Sequence, residues 1–483
     1  MTHRPLDIAV LGAGPTGLTA ALLLARDGHR VTVCEADARR CQDGSATPRP
    51  GVSQFGLPHV LLPRWRHEMD AALPDLVPAL LTAGARPVNL LHLQEPGTTG
   101  AARAGDDWFG TVAVGRAVLE QVLSNLAAGD PNVRFRFATR ATGVLPSPRG
   151  ERCLGGLRTE DDDVPADLVI DAGGGHSPVP GWLHDTYGIP PQQRRLGPRL
   201  TFFCRHFEDP GGPLPQAGPI LTHHPSWSLL TLPTGHRRFA IVVAATADDR
   251  ALRALRDPDA WHAAVESTVV GRAWAEHGRP VSGVLVHSAA DAVPAEAGPA
   301  AVGRLVALGD AQTVTNPLLG RGVTIGALSA VTLRDSIRAA DDVPEALARY
   351  QSGYAERVAG WVDSSLWLTR HRVAELRAQA AGEPYRADDA RWAMTVALRV
   401  GALQDPVLAR ASTLVGGMLA DAAAVFADPE VRNRCSRYLG APATPSSPVG
   451  ASQHGAVRPT PPTSPIGEEP STTQGAHHVH LAR

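Results

Sequence analysis

The first forty residues combine two hydrophobic periodicities. Residues 6–11 are mostly apolar and predict a buried strand, and residues 18–25 predict an apolar helix that ends at Gly28. Residues 31–34 predict a second strand, which is followed by the acidic Glu35. A strand, a helix and a second strand in this order are typical of a parallel sheet covered by helices.

Similar patterns predict the elements of the remaining chain. Helical spacing of apolar residues indicates helices at about 64–84, 116–126, 258–270 and 323–339, and two or more helices within 343–436. Short strands are predicted near 88–94, 107–114, 133–137, 141–145, 157–160, 166–171 and 305–310. Alternating or apolar runs separated by turn residues predict an antiparallel sheet at 199–208, 218–224, 227–233, 237–246 and 282–287.

Rossmann-type elements therefore recur in three separate stretches of the chain, an arrangement that suits a flavoprotein better than a simple dehydrogenase. We predict an α/β fold in which a Rossmann-like nucleotide-binding domain is assembled from discontinuous segments. An antiparallel-sheet domain is inserted into it, and a helical region follows. The predicted bounds are 1–198 and 288–340 for the nucleotide-binding domain, 199–287 for the inserted substrate-binding sheet, 341–440 for the helices and 441–483 for a disordered tail rich in Pro, Ser, Thr and Gly.

The turn after the first strand carries three glycines at the spacing of a dinucleotide fingerprint. Gly12 permits a tight turn, Gly14 lets the backbone approach a pyrophosphate, and Gly17 lets the helix pack closely on the strand. The helix N-terminus offers free N–H groups to phosphates. Glu35 is placed to accept hydrogen bonds from an adenosine ribose. The fingerprint alone leaves both FAD and NAD open.

Composition excludes several classes of function. The 46 basic and 48 acidic residues give a net charge of −2, so no nucleic-acid footprint is present. No apolar run reaches the roughly 20 residues that span a bilayer. The five scattered cysteines match no metal-ligand spacing and no disulfide framework. The first strand begins too early to leave room for a signal peptide, and we expect a cytoplasmic protein without a metal site.

The chain contains no lysine, so all its basic residues other than histidine are arginines. No side chain can therefore form a Schiff base or carry a reactive lysine adduct. We also find no nucleophile elbow, no paired metal-binding histidines and no phosphate-binding lysine. The catalytic residues are unknown from the sequence, as expected where a cofactor supplies the chemistry.

Three motifs together resemble the single-component FAD monooxygenases of the para-hydroxybenzoate hydroxylase type. The first is the glycine fingerprint with Glu35, and the second is the segment 167–177, which ends a buried strand at Asp171. The third is Asp310 followed by Asn316-Pro-Leu-Leu-Gly-Arg-Gly322. The resemblance covers about residues 5–340.

A closer resemblance is to the bacterial branch that includes polyether epoxidases. That branch has an Arg-x-Gly-Val-Pro-Gln-x-x-His-x-His stretch, which here begins at Arg49 and retains Gln54 and His59. Two arginines of the family's second motif are replaced by Gly175 and Pro178. In the wider family this segment helps to bind flavin and NADPH. It therefore stays open whether NAD(P)H reduces the flavin directly or through a flavin reductase.

The resemblance implies roles for specific residues. Asp310 would hydrogen-bond a ribityl hydroxyl of FAD, and Arg116 would contact the sugar-phosphate chain. Arg49 would lie near the adenosine or pyrophosphate. The backbone between Gly320 and Gly322 would stabilise the reduced flavin ring. His59, His206, His223 and His224 are further candidates for the substrate pocket.

The resemblance also implies the reaction. One oxygen atom of O2 would be inserted into an apolar, polyketide-like secondary metabolite, by hydroxylation or epoxidation through a flavin C4a-peroxide. An FAD-dependent dehydrogenase or reductase and a non-catalytic flavin-binding protein stay open as alternatives. A flavin-dependent halogenase is disfavoured, because that class needs a lysine and this chain has none. Disulfide reductases are disfavoured because the chain lacks a second glycine fingerprint and a redox pair of cysteines.

Overall fold

A computed structural model gives the architecture of residues 4–38, 49, 55–59, 61–148, 152–190, 193–294 and 302–440; for 193–198 and 293–294 it gives the backbone only. The strands are β1 Asp7–Leu11, β2 Arg30–Cys34, β3 Arg86–Asn89, β4 Gly110–Ala113, β5 Val133–Arg136, β6 Ala141–Pro146, β7 Leu154–Thr159, β8 Val164–Pro165, β9 Leu168–Asp171, β10 Gln193–Glu208, β11 Leu221–His224, β12 Trp227–Gly235, β13 Arg238–Thr246, β14 Arg279–Pro280, β15 Leu285–Pro294 and β16 Leu305–Ala307. The helices are α1 Pro15–Arg26, α2 Pro63–Ala72, α3 Leu76–Thr82, α4 Arg116–Ala128, α5 Val179–Tyr187, α6 Pro258–Glu266, α7 Val269–His277, α8 Gly322–Arg338, α9 Val343–Tyr354, α10 Gly360–Ala380, α11 Ala390–Gly401, α12 Pro406–Gly416, α13 Ala422–Ala427 and α14 Pro429–Ser436.

A five-stranded parallel sheet is assembled from distant parts of the chain. Its order is β16-β9-β1-β2-β5, with β1 at the centre. Val10 of β1 is in register with Val33 of β2 and Ile170 of β9, and all three are fully buried. Buried residues of α1, α4 and α8 form one hydrophobic core with this sheet. A three-stranded sheet, β6-β7-β8, contributes to the core that contains Ala9 and Val169. The predicted α/β Rossmann-like fold is therefore confirmed.

The second large sheet is antiparallel, with β10 paired to β13, β14 and β15. Alternate residues of β13 point to opposite faces. Ile241 and Val243 pack with the tryptophans of α6 and α7, whereas Val242 packs with Leu318 and with α10. The predicted antiparallel sheet is present, and β10 and β15 both extend beyond the predicted 199–287.

Several predicted elements have different bounds. The helix expected at 64–84 is interrupted after Ala72, because Pro74 disfavours the helical conformation of the residue before it. The helix expected at 258–270 is two helices, since the Thr268 side chain accepts a hydrogen bond from Gly271 N and begins α7. Residues 90–94 form turns rather than a strand. The predicted tail 441–483 lies outside the described residues.

The helices after α8 complete the described chain. A π-helical turn, Ala355–Ala359, joins α9 to α10 without a break. Helices α11 to α14 form a separate small core around Leu398 and Leu408. Within the described ranges, none of the helices has both the length and the apolar character needed to cross a bilayer.

Candidate functional site

A cavity of about 1090 Å³ is lined by residues of the β1–α1 turn, the antiparallel sheet and the C-terminal helices. Ligand pockets are commonly about 300–1,000 Å³. The cavity is therefore large enough for an extended cofactor or for a cofactor portion together with a substrate.

The three fingerprint glycines differ in their steric surroundings. Gly12 has a φ of +97°, and a Cβ there would lie 2.7 Å from the Ala172 carbonyl oxygen. A Cβ at Gly17 would lie 2.1 Å from the Gly12 carbonyl oxygen. Gly14 lines the cavity, and among the described atoms a Cβ there would have one neighbour within 4 Å, Nη2 of Arg116 at 3.9 Å. Gly12 and Gly17 are thus needed for packing, whereas Gly14 leaves space for a ligand.

The structure brings four of the predicted site residues together with Gly14 along the cavity wall: Arg116, Asp310, Gly320 and Gly322. Gly320 adopts a φ of +65°, and Gly322 begins α8. A Cβ at Gly322 would lie 3.7 Å from Oδ1 of Asp310. Burial raises the pKa of Asp310, and the positive charge of Arg116 partly offsets this shift.

The other two predicted residues, Glu35 and Arg49, line a second cavity of only about 30 Å³. Oε2 of Glu35 accepts hydrogen bonds from Ala13 N at 2.8 Å and from Nη2 of Arg49 at 2.5 Å. Oε1 accepts from Asp37 N at 3.0 Å. A carboxylate has about four acceptor sites. Glu35 therefore holds the glycine turn, and the described residues occupy three of these sites. Its role toward a ribose stays a prediction.

Glu120 connects the two cavities and was not predicted from the sequence. Its side chain is 1% exposed. Oε1 accepts from Nε of Arg116 at 2.6 Å, and Oε2 accepts from Nη1 of Arg49 at 3.1 Å. The spacing of four residues between Arg116 and Glu120 on α4 is a signal for an ion pair. The contact with Arg49 depends on the tertiary fold and has no local signal.

His59 extends this polar chain. Nδ1 lies 2.9 Å from the Leu57 carbonyl oxygen, which can only accept, so Nδ1 carries the proton. Nε2 then accepts from Nη1 of Arg116 at 3.2 Å. Burial and the charge of Arg116 lower the pKa of His59 to about 3. His59 is thus a neutral support for Arg116 at neutral pH.

The remaining predicted pocket residues separate into two groups. His223 and His224 line the cavity, as does His59. His206 does not line the cavity, and its Nε2 lies 2.8 Å from the Gly56 carbonyl oxygen. Gln54 lies outside the described residues.

Arg321 was also missed by the sequence analysis, although it stands between the two predicted glycines. It is 3% exposed, and burial lowers its pKa to about 10, which leaves it charged at neutral pH. Nη1 donates to Ser365 Oγ at 3.2 Å, and Nη2 donates to the Val415 carbonyl oxygen at 3.4 Å. Arg321 therefore ties the glycine turn to α10 and α12.

The far part of the cavity is mainly apolar. The antiparallel sheet supplies Phe202, Leu230, Leu232 and Val242, as expected for a pocket wall. Helix α11 and the loop after it also supply Leu398 and Leu403, which the sequence analysis did not anticipate. Among the residues that the structure describes, no group of three or more His, Cys, Asp or Glu side chains could hold a metal ion.

These features fit a bound FAD. The space beside Gly14 and the N-terminus of α1, which has no side-chain cap hydrogen bond, could receive a pyrophosphate. Arg116 and Asp310 lie along the wall that would follow the ribityl chain. The same cavity continues into the apolar region, where a substrate would face the flavin ring.

Comparisons with known proteins agree with this geometry. The sequence profile of the FAD dependent oxidoreductases matches residues 7–49. A probable FAD-dependent monooxygenase from Pseudomonas aeruginosa, PqsL, superposes with a TM-score of 0.59 at 20% identity, covering 78% of this chain and 99% of that one. At this identity the likeness shows the fold alone, which this chain shares with that protein. The myxobacterial chondrochloren halogenase also has this fold, with a TM-score of 0.57 at 18% identity over 84% of this chain and 92% of that one.

Sequence relatives cover different parts of the chain. Protein Rv3254 of Mycobacterium tuberculosis is 26% identical over 371 residues, which are 70% of this chain and 75% of the relative. The kynurenine 3-monooxygenase of Phaeosphaeria nodorum is 30% identical over 189 residues, 36% of this chain and 37% of the relative. The L-glutamate oxidase precursor of Streptomyces viridosporus is 54% identical over 48 residues, 10% of this chain and 7% of the relative. The chain thus spans well under two thirds of two of these three relatives.

Proposed function

We propose that the protein is an FAD-dependent monooxygenase that inserts one oxygen atom of O2 into an apolar substrate. The observation that carries this proposal is the continuity of the cavity. The wall with Gly14, Arg116, Asp310 and the Gly320–Gly322 turn opens directly into the apolar wall of the antiparallel sheet. A cofactor bound along the first wall would meet a substrate enclosed by the second.

The chain's own residues would hold the cofactor and exclude water. Gly14 and α1 would receive the pyrophosphate, Asp310 would accept a hydrogen bond from the ribityl chain, and the start of α8 would face the ring. Bound FAD would supply the oxygen-activating chemistry. The apolar sheet face would orient the substrate in a poorly hydrated space. We propose NAD(P)H as the electron source, either directly or through a flavin reductase.

The resemblance to polyether epoxidases supports a secondary metabolite, such as a polyketide, as the substrate, and hydroxylation or epoxidation as the reaction. The absence of lysine from the whole sequence favours a monooxygenase over a halogenase that depends on lysine. The main competing function is an FAD-dependent dehydrogenase or reductase. A non-catalytic flavin-binding protein is the third candidate.

The decisive experiment follows both the cofactor and the oxygen atom. The purified protein is loaded with FAD and supplied with NADH or NADPH, with and without a flavin reductase, and with candidate apolar substrates under 18O2. We expect a product that contains one 18O atom. Substrate oxidation without 18O incorporation would support a dehydrogenase, and flavin binding without any turnover would support a binding protein.

The cofactor site itself is tested by Gly14→Val. The branched side chain would project into the space that the pyrophosphate would occupy. We expect FAD affinity to fall at least a hundredfold, which is about 2.7 kcal/mol. Gly181→Val is the matched control, because Gly181 is exposed on α5 and a Cβ there meets no atom within 4 Å. Equal FAD affinity in the two variants would contradict the placement of the cofactor.

A further inference from the structure

A polar network lies behind the cavity wall formed by β11 and α11, and the proposed function does not use it. His223 of β11 lines the cavity, and its Nδ1 lies 3.1 Å from Ser228 Oγ on the neighbouring strand β12. Ser228 is fully buried. Within the described part of the chain, Nε2 of His223 has no hydrogen-bond partner. This nitrogen is therefore available to a ligand in the cavity.

Arg372 determines the direction of the hydrogen bond between Ser228 and His223. Nε and Nη2 of Arg372 lie 3.2 and 3.1 Å from Ser228 Oγ, and a guanidinium can only donate. A hydroxyl has two acceptor lone pairs and one proton, so Arg372 occupies the lone pairs. Ser228 Oγ then donates to Nδ1 of His223, its remaining hydrogen-bond partner among the described residues. In the neutral ring the remaining proton is consequently on Nε2.

Burial and the neighbouring positive charges keep the His223 ring neutral. Arg372 and Arg399 share one carboxylate, Glu375, which lies 2.5 Å from Arg372 Nη1 and 3.0 Å from Arg399 Nη2. Among the described residues, these ion pairs join two guanidinium groups to one carboxylate. Burial, with the charges of Arg372 and Arg399, lowers the pKa of His223 well below its ordinary value.

We propose that His223 is a substrate-binding residue that donates a hydrogen bond from Nε2 to an acceptor oxygen of the substrate. The substrate would be an apolar molecule that carries a carbonyl, carboxylate or phenolate oxygen at the end bound by His223. Arg399 also lines the cavity and adds positive potential at this end. The proposal rests on the proposed function in one respect, namely that the occupant of the apolar cavity is the substrate.

The proton position can be measured without any substrate. In protein labelled with 15N-histidine, the His223 resonances are assigned by their loss in His223→Phe. We expect a neutral ring with a pyrrole-type Nε2 and a pyridine-type Nδ1 at pH 7. Ser228→Ala removes the donor to Nδ1 and should give a mixture of both tautomers. A ring protonated on Nδ1 in the wild type would overturn the proposal.

The preference for an acceptor oxygen is measured by calorimetry on the FAD-loaded protein. The probes are 2-naphthoate and 2-naphthylmethylammonium, which carry the same naphthyl group. We expect wild-type protein to bind the carboxylate at least tenfold more tightly. His223→Phe should lower naphthoate affinity about tenfold, and His184→Phe, at an exposed position on α5, should leave it unchanged. Equal affinity for both probes, no binding of naphthoate, or an unchanged affinity in His223→Phe would each overturn the proposal. These outcomes are independent of the 18O experiment. A product without 18O would contradict the monooxygenase function but would not change the measured tautomer of His223.

Discussion

The two ends of the cavity are built on different principles. At the cofactor end, buried groups of alternating charge run from Glu35 through Arg49 and Glu120 to Arg116, and all four come from the first 120 residues. At the far end, apolar side chains of the antiparallel sheet meet helices that follow some 150 residues later. Most residues of the first end belong to short sequence motifs, whereas the residues of the second end carry no motif and are brought together by the packing of distant elements.

This difference affects how each end responds to substitution. A buried ion pair contributes little net free energy when intact, but removal of one partner leaves an uncompensated charge. An apolar side chain at a cavity wall already lacks neighbours on one side, so its truncation loses fewer contacts. We therefore expect the cofactor end to be sensitive to single charges and the far end to tolerate apolar substitutions.

The largest expected effect is that of Glu120→Ala. Both Arg49 and Arg116 would lose a carboxylate that is 1% exposed. We expect the free energy of unfolding to fall by about 3–5 kcal/mol, the range for removing one partner of a buried pair. Chemical denaturation of the FAD-free protein measures this without a contribution from cofactor binding.

Glu345→Ala provides the control for Glu120→Ala. Glu345 pairs with Arg349 in the same i,i+4 spacing, but both side chains are partly exposed. Exposed pairs contribute about 0–1 kcal/mol. If Glu120→Ala and Glu345→Ala lower the free energy of unfolding equally, the buried ion pairs of Glu120 contribute no more than an exposed ion pair.

The same contrast explains what the sequence could reveal. The glycine fingerprint, the parallel strands and Asp310 follow from local patterns, because each strand and its following turn are contiguous in the chain. Glu120 and Arg321 lie beside predicted residues, but their partners Arg49, Ser365 and Val415 are distant in sequence. The sequence did not indicate that α11 lines the cavity. Apolar residues at helical spacing predict a buried helix face, but they do not identify the element or cavity that this face contacts.

A smaller effect is expected for Asp310→Ala. This variant tests whether FAD extends along the cavity wall, with its ribityl chain at Asp310 and its flavin ring near Gly320. Loss of a hydrogen bond from the ribityl chain should weaken FAD binding by about 1–3 kcal/mol. Gly320→Val should instead impair NAD(P)H oxidation, because its φ of +65° is strained for a branched residue at the ring site. Fluorescence titration with FAD and coupled NAD(P)H oxidation separate the two effects. Wild-type FAD affinity and turnover in both variants would mean that the segment from Asp310 to Gly320 is only a turn between a strand and a helix.

The last prediction concerns Asp291, which lies on β15 of the antiparallel sheet. This carboxyl group on β15 is 4% exposed, and its Oδ1 accepts from the backbone N of Asn316, which precedes the glycine turn. Burial raises the pKa of Asp291 from 3.8 to about 7. Between these values the folded protein binds the proton more tightly than the unfolded chain. Stability contributed by this group is therefore complete below about pH 4 and is lost as the pH rises through 7.

Asp291→Asn removes this titration and keeps an acceptor oxygen for Asn316. From pH 5 to pH 8, the wild-type free energy of unfolding should fall by at least about 1.4 kcal/mol more than that of the variant, the equivalent of one pKa unit. Asp106→Asn is the control, because Arg410 lowers the pKa of Asp106 to about 2, outside this pH range. Its profile should run parallel to the wild type between pH 5 and pH 8. Parallel profiles for Asp291→Asn and the wild type would mean that Asp291 is ionised in the folded protein throughout this range. Asp291 would then be a buried ionised carboxylate, as Glu120 is at the cofactor end.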